Sequence, residues 1–272
     1  MNKWLRLGLI VFFSATFLLS AFMLGRYYWE SDKQQAQFDE LAEMVRQATP
    51  AVSDSTVPQT PQQTPSQEGT LPEDPTTQEP LLPLPQYVEV SKLNSDMVGW
   101  ICIDGTRINY PVMQTPNNPD YYLKRDFYKN YSGHGCLYVR EQCDMDAPSD
   151  NVTIYGHNMK DGSMFADLLN YRSKSYWENH RYITFDTLTQ QRTYEIFAVF
   201  KTTASKGKGF AYHQFVDADN EAEYEEFVQE CISLSLYSTG VVPTYGENII
   251  TLSTCEYTQS NGRFVVVARR IS

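Results

Sequence analysis

From residue 7 to residue 24 the chain carries no charge, and only Gly8, Ser14, Thr16 and Ser20 interrupt the apolar run. As an α-helix these residues span about 27 Å, enough to cross the hydrocarbon core of a bilayer. Lys3 and Arg6 precede the run, whereas Arg26 is outweighed on the far side by Glu30 and Asp32. The positive-inside rule therefore leaves residues 1–6 in the cytoplasm and sends everything beyond the span outside the cell. Trp4 on one flank and Tyr27, Tyr28 and Trp29 on the other read as interfacial belts. A cleaved signal peptide is the alternative, but the run is long for one and no small-x-small cleavage site follows it. The expectation is a single-pass membrane anchor over residues 7–25.

Composition then changes. Residues 30–48 place Phe38, Leu41, Met44 and Val45 at helical spacing among charges. This pattern predicts a juxtamembrane helix, either self-associating or, more simply, solvated. Residues 49–85 hold nine of the chain's fourteen prolines, with much Gln and Thr and no Lys or Arg. Such a segment buries too little apolar surface to fold, and an extended, disordered stalk is expected. Residues 26–85 thus read as helix plus linker, whose purpose would be to hold a globular domain away from the membrane. The net charge of -11 argues against nucleic acid as a partner.

Residues 86–272 have the length of one domain. Strand-like runs rich in Val, Ile, Tyr, Phe and Thr occur at 98–103, 108–113, 135–139, 152–155, 182–185, 192–202, 249–254 and 264–271. Residues 162–171 and 219–236 read as helices, the second with Tyr224, Phe227, Val228, Cys231 and Leu234 along one face. The expected fold is mainly β with peripheral helices, a closed or nearly closed mixed barrel of about eight strands.

Five cysteines, an odd number, leave at least one thiol unpaired. Cys102 and Cys231 lie in apolar patterns and read as core residues. Cys136 and Cys143 flank a short loop, and spacing alone does not establish a disulfide between them. No CxxC or HxxxH pair occurs, so neither a metal nor a cofactor is expected. Cys255 is different, because it closes the apolar run Ile249, Ile250 and Leu252 at a strand end, where a side chain can face a cleft. A nucleophilic cysteine needs a base. Of the four histidines, His157 also stands at a strand tip, after Val152-Thr153-Ile154-Tyr155 and the turn residue Gly156. Arg263 opens the last strand after Ser260-Asn261-Gly262. If the last two strands form a hairpin, it faces Cys255 and can donate to a developing oxyanion.

Thr251-Leu252-Ser253-Thr254-Cys255 resembles the TLxTC signature of sortases, membrane-anchored cysteine transpeptidases of Gram-positive bacteria. The resemblance covers the domain and is nearest to class B. Its carriers are Ile108-Asn109-Tyr110-Pro111-Val112, Asp120-Tyr121-Tyr122-Leu123 with Asp126-Phe127, Tyr155-Gly156-His157-Asn158-Met159, and the helix-bearing insertion before the cysteine strand. It implies a sortase β-barrel and a two-step acyl transfer. Cys255 attacks the Thr carbonyl of a C-terminal sorting pentapeptide, His157 moves the proton, and Arg263 with the Glu256 backbone N–H holds the oxyanion. The acceptor implied is an amine of peptidoglycan or its precursor, so that a surface protein becomes attached to the wall.

Substrate contacts are expected from Ser253, on the nucleophile's strand face, and from Phe210 to Tyr212 as an apolar wall, with Asn109 as a further candidate. Glu256 is either an orienting group for the incoming amine or a solvent-facing acid. Three rival functions stay open: pilin polymerisation through a lysine amine, a surface cysteine peptidase that passes the acyl group to water, and a stalked binding module.

Overall fold

The structure, a computed structural model, describes residues 3–49, 82–205 and 207–272. Eight strands close into one barrel. They are β1 (Met97–Cys102), β2 (Asn109–Met113), β3 (Leu137–Val139), β4 (Asn151–Tyr155), β5 (Tyr182–Thr187), β6 (Thr193–Thr203), β7 (Ile249–Glu256) and β8 (Gly262–Arg270). The order around the barrel is β1-β2-β3-β4-β7-β8-β6-β5. Pairing is antiparallel except for β2 with β3 and β4 with β7, so the barrel is mixed as expected. The eight runs of β-branched and aromatic residues all became strands, with ends shifted by one or two residues.

The pleat decides what each strand residue does, since alternate side chains face opposite sides. On β7, Ile250 and Leu252 join the interior cluster with Val152 and Ile154 of β4 and Val266 of β8. Ile249, Val265 and Val267 face outward into a second cluster. That outer layer is built on helix α4 (Glu221–Leu234), whose Tyr224, Phe227, Val228 and Cys231 are buried, whereas Leu234 is exposed. Asn220 caps α4 by accepting the Glu223 N–H, and the Glu223 carboxylate accepts the Asp219 N–H in return. The helix expected over 162–171 is a 3-10 helix at Ala166–Arg172, followed by the short α3 (Lys174–Asn179).

The largest departure from expectation lies at the N-terminus. Helix α1 runs unbroken from Lys3 to Ala48, and one face of its second half packs on the barrel instead of facing solvent. Phe38 and Leu41 are 2% and 0% exposed and belong to the barrel's own core, with the Phe38 ring edge-on to Tyr110. Ser31 and Gln34 continue the buried stripe one turn at a time. Their polarity hid them from an apolar-periodicity argument. A further helix, α2 (Pro85–Leu93), packs on α1 and buries Tyr87 and Val90. The expected stalk falls mostly on residues 50–81, which lie outside the described residues. Among the described residues α1 is the one helix long and apolar enough to cross a membrane.

Candidate active site

Three strand ends meet at one rim of the barrel. Cys255 and Arg263 are direct partners in the antiparallel β7–β8 ladder. Directly opposed residues share a face with Cβ atoms about 5 Å apart. Both point outward, because Leu252 and Thr254 alternate with Ser253 and Cys255 and the even-numbered set faces in. On the other side of β7, Tyr155 is level with Ser253 in the parallel β4–β7 ladder. The pairing continues past the assigned strand: the Gly156 N–H donates to Ser253 O at 3.1 Å and Thr254 Oγ1 donates to Gly156 O at 2.7 Å. His157 and Cys255 each follow the Tyr155–Ser253 pair by two residues, at the same end of the ladder. Gly156 is required here, since a Cβ would lie 2.3 Å from the Leu137 side chain and 2.6 Å from Phe165.

The His157 ring is oriented by the backbone. Its Nε2 lies 2.8 Å from the Leu123 carbonyl, which can only accept, so Nε2 donates and Nδ1 is left for other chemistry. Asn158 Nδ2 donates to the Cys255 carbonyl at 3.1 Å and ties the histidine loop to the end of β7. Arg263 Nη1 donates to the carbonyls of Gly262 at 3.1 Å and Asn261 at 3.4 Å. No carboxylate forms an ion pair with Arg263 among the described residues, and its remaining N–H groups stay available. Cys255, His157 and Arg263 are all half-buried, with Tyr257 beside them 74% exposed.

The substrate-contact candidates separate. Tyr212 and Ser253 share a 2.6 Å hydrogen bond, and both are buried, so Ser253 is a floor beneath Tyr212 rather than an open groove wall. Phe210 is half-buried against Phe200 and Phe227 in the α4 layer. Asn109 accepts the Trp100 indole N–H at 2.6 Å and lies beside Glu43 and Arg46 of α1. The solvent-facing reading of Glu256 is corrected. One position past Cys255, its side chain turns inward, fully buried, and accepts from Arg172 at 2.7 Å and Lys201 at 3.3 Å. Burial opposes its charge, but hydrogen bonds from Thr258 and the Lys201 ammonium outweigh this and hold its carboxyl below the ordinary range.

Asn158 and the Leu123 carbonyl were not assigned roles from sequence. Asn158 had a signal in its adjacency to His157, whereas a main-chain acceptor leaves none. The other four cysteines are free thiols, and Cys136 and Cys143 are not joined. Burial raises the pKa of each of the four, that of Cys143 to about 11.

Comparison with known proteins gives the same family. The Sortase domain model matches residues 101–271. Sortase B of Staphylococcus aureus is 34% identical over 189 residues, 69% of this chain and 75% of that protein. Sortase B of Listeria monocytogenes is 34% identical over 186 residues, 68% of this chain and 73% of that protein. Among solved structures, a Staphylococcus aureus sortase B–substrate complex superposes with a TM-score of 0.72 at 27% identity. That match covers 90% of this chain and 99% of the other.

Proposed function

Because this chain belongs to the sortase family, we propose that it is a membrane-anchored class B transpeptidase. It cleaves a sorting pentapeptide after Thr and passes the acyl group to an amine of peptidoglycan or its precursor. The observation that carries this reading is the shared outward face of Cys255 and Arg263 in the β7–β8 register, with His157 two residues past the last β4–β7 pair, as Cys255 is. The relatives support it as well: one similar sortase B structure is a substrate complex and another is complexed with triglycine.

In the proposed reaction the Cys255 thiol gives its proton to His157 as Sγ bonds to the Thr carbonyl carbon, and the charge that develops on oxygen is met by Arg263 and the Glu256 N–H. As the scissile C–N bond breaks, His157 gives a proton to the leaving amine. A thioester remains on Cys255. The incoming amine attacks the same carbon, His157 takes its proton, and the C–S bond breaks as that proton passes to Sγ and restores the thiol. The apolar half of α1 anchors the enzyme, with the barrel outside the cell. Trapping the thioester tests the assignment. A sorting-type peptide supplied without amine should add its acyl mass to Cys255, and an adduct on another residue would overturn the assignment.

A further inference from the structure

The anchor and the catalytic barrel are one continuous body. Within α1, Tyr27, Ser31, Gln34, Phe38 and Leu41 recur three or four residues apart, and each touches the barrel. Tyr27 stacks on His134, with the ring centroids 6.5 Å apart. Ser31 Oγ donates to Asp161 at 2.5 Å, and His134 Nε2 binds the same Asp161 oxygen at 2.7 Å. Ser132 Oγ donates to Gln34 at 2.8 Å. Ser163 adds two hydrogen bonds to the other Asp161 oxygen, at 2.9 and 2.6 Å. Burial opposes the Asp161 charge, but these donors prevail and hold its carboxyl far below the ordinary range.

The helical rise converts these contacts into heights. The apolar run ends at Leu24, so Tyr27 stands about 4.5 Å and Ser31 about 10 Å beyond it along the helix axis. The headgroup layer is roughly 5–8 Å deep on each side of the core. The barrel loops that meet Tyr27 and Ser31, residues 131–134 and 160–163, therefore stand at the lipid surface. Tyr131 on the first loop is 71% exposed, and Trp29 and Tyr28 on α1 are 65% and 56% exposed, as suits an interfacial belt. Asp161 is four residues from His157, which places the histidine within about 14 Å of this contact.

The proline-rich segment does not lie between the anchor and the barrel. It leaves from Thr49, after α1 has already docked, and returns at Leu82, two residues before the Leu84 N–H donates to Leu188 O at 2.7 Å. Both of its flanks are held on the same body, and its length sets no distance from the membrane.

We propose that the barrel is seated directly on the bilayer by the docked second half of α1. Loop 131–134 contacts phospholipid headgroups, and the His157–Cys255 rim is held at fixed height near the lipid surface. This rests on reading the apolar half of α1 as membrane-spanning. The seated geometry fits acyl donors and acceptors that are themselves membrane-borne, since both would reach a rim close to the surface.

The test uses the full chain in phosphatidylcholine–phosphatidylglycerol nanodiscs with a photoreactive benzoylphenylalanine in place of Tyr131. A second sample carries it at Ile271, 47% exposed at the opposite rim. Mass spectrometry should find a phospholipid adduct at 131 and none at 271. Deleting residues 57–72 should leave the adduct at 131 unchanged. Inserting two helical turns, seven residues, after Gly25 should abolish it by lifting the barrel about 10 Å with little rotation. An absent adduct at 131 in nanodisc-bound protein, or one lost on the deletion, overturns the seating. Protein that stays outside the nanodiscs overturns the anchor reading instead.

Discussion

Arg263 faces Cys255 directly across the β7–β8 ladder, and among the described residues its guanidinium donates to two backbone carbonyls but to no carboxylate. The charge is held in place by weak acceptors and is left uncancelled beside the thiol. Arg263→Ala should lower kcat/KM by about a hundredfold or more, the usual cost of removing an oxyanion donor. Thermal stability should barely change, because the side chain sits half-buried on the rim. Arg263→Lys should recover little, since a point charge does not reproduce the guanidinium fork. Steady-state kinetics beside a melting curve decides it.

Asn158 is bonded to the Cys255 carbonyl, and it is expected to act through Cys255 and not on substrate. Losing its 3.1 Å bond to the Cys255 carbonyl should cost about 1 kcal/mol of stability. Asn158→Ala should also reduce kcat while leaving KM near its starting value. A rise in KM with kcat unchanged would instead mark Asn158 as a substrate contact.

Only one of the five thiols should react quickly. Cys136, Cys143 and Cys231 are buried, and burial also raises the pKa of Cys102. Brief alkylation at neutral pH should add one label, lost in Cys255→Ala. A second fast label on the native protein would contradict this.

Glu256 makes a pH prediction. Its folded-state pKa is depressed, so its stabilisation is present above the ordinary carboxylate range and is lost as pH falls through the folded value. Glu256→Gln should lose about 2 kcal/mol near neutral pH. Its stability should then fall less steeply than the native protein's below about pH 4.5, the range in which an unfolded glutamate takes up its proton. Parallel acid melts of the two proteins test the sign.

Phe38 makes the N-terminal helix a structural element of the domain. Phe38→Ala should destabilise the barrel by about 3 kcal/mol, as expected for a large side chain lost from a core. No change in stability would mean that α1 does not dock in solution.

The barrel was legible because its strands carry local signals. Each is a short β-branched or aromatic run between turn residues, and hairpin logic set Arg263 opposite Cys255. The partnership of β4 with β7 was not legible, because residues 152 and 250 pair in parallel across nearly one hundred positions and no local pattern encodes that. The docking of α1 was hidden for another reason. Half of its buried stripe is Ser31 and Gln34, whose burial makes sense only once Asp161 and Ser132 are in place as partners. Glu256 misled in the same way: an acid after a cysteine at a strand end looks exposed until the pleat turns it inward toward Arg172 and Lys201.

The most direct measurement is ligation by the full chain, used whole because Phe38 and Leu41 belong to the core. The protein and its Cys255→Ala variant are each incubated with sorting-type pentapeptides and triglycine, and the products are weighed by mass spectrometry. The account predicts a peptide joined through its Thr carbonyl to the triglycine amine, absent with the variant. Free Thr acid alone despite excess amine, or a ligated product that survives Cys255→Ala, would contradict it.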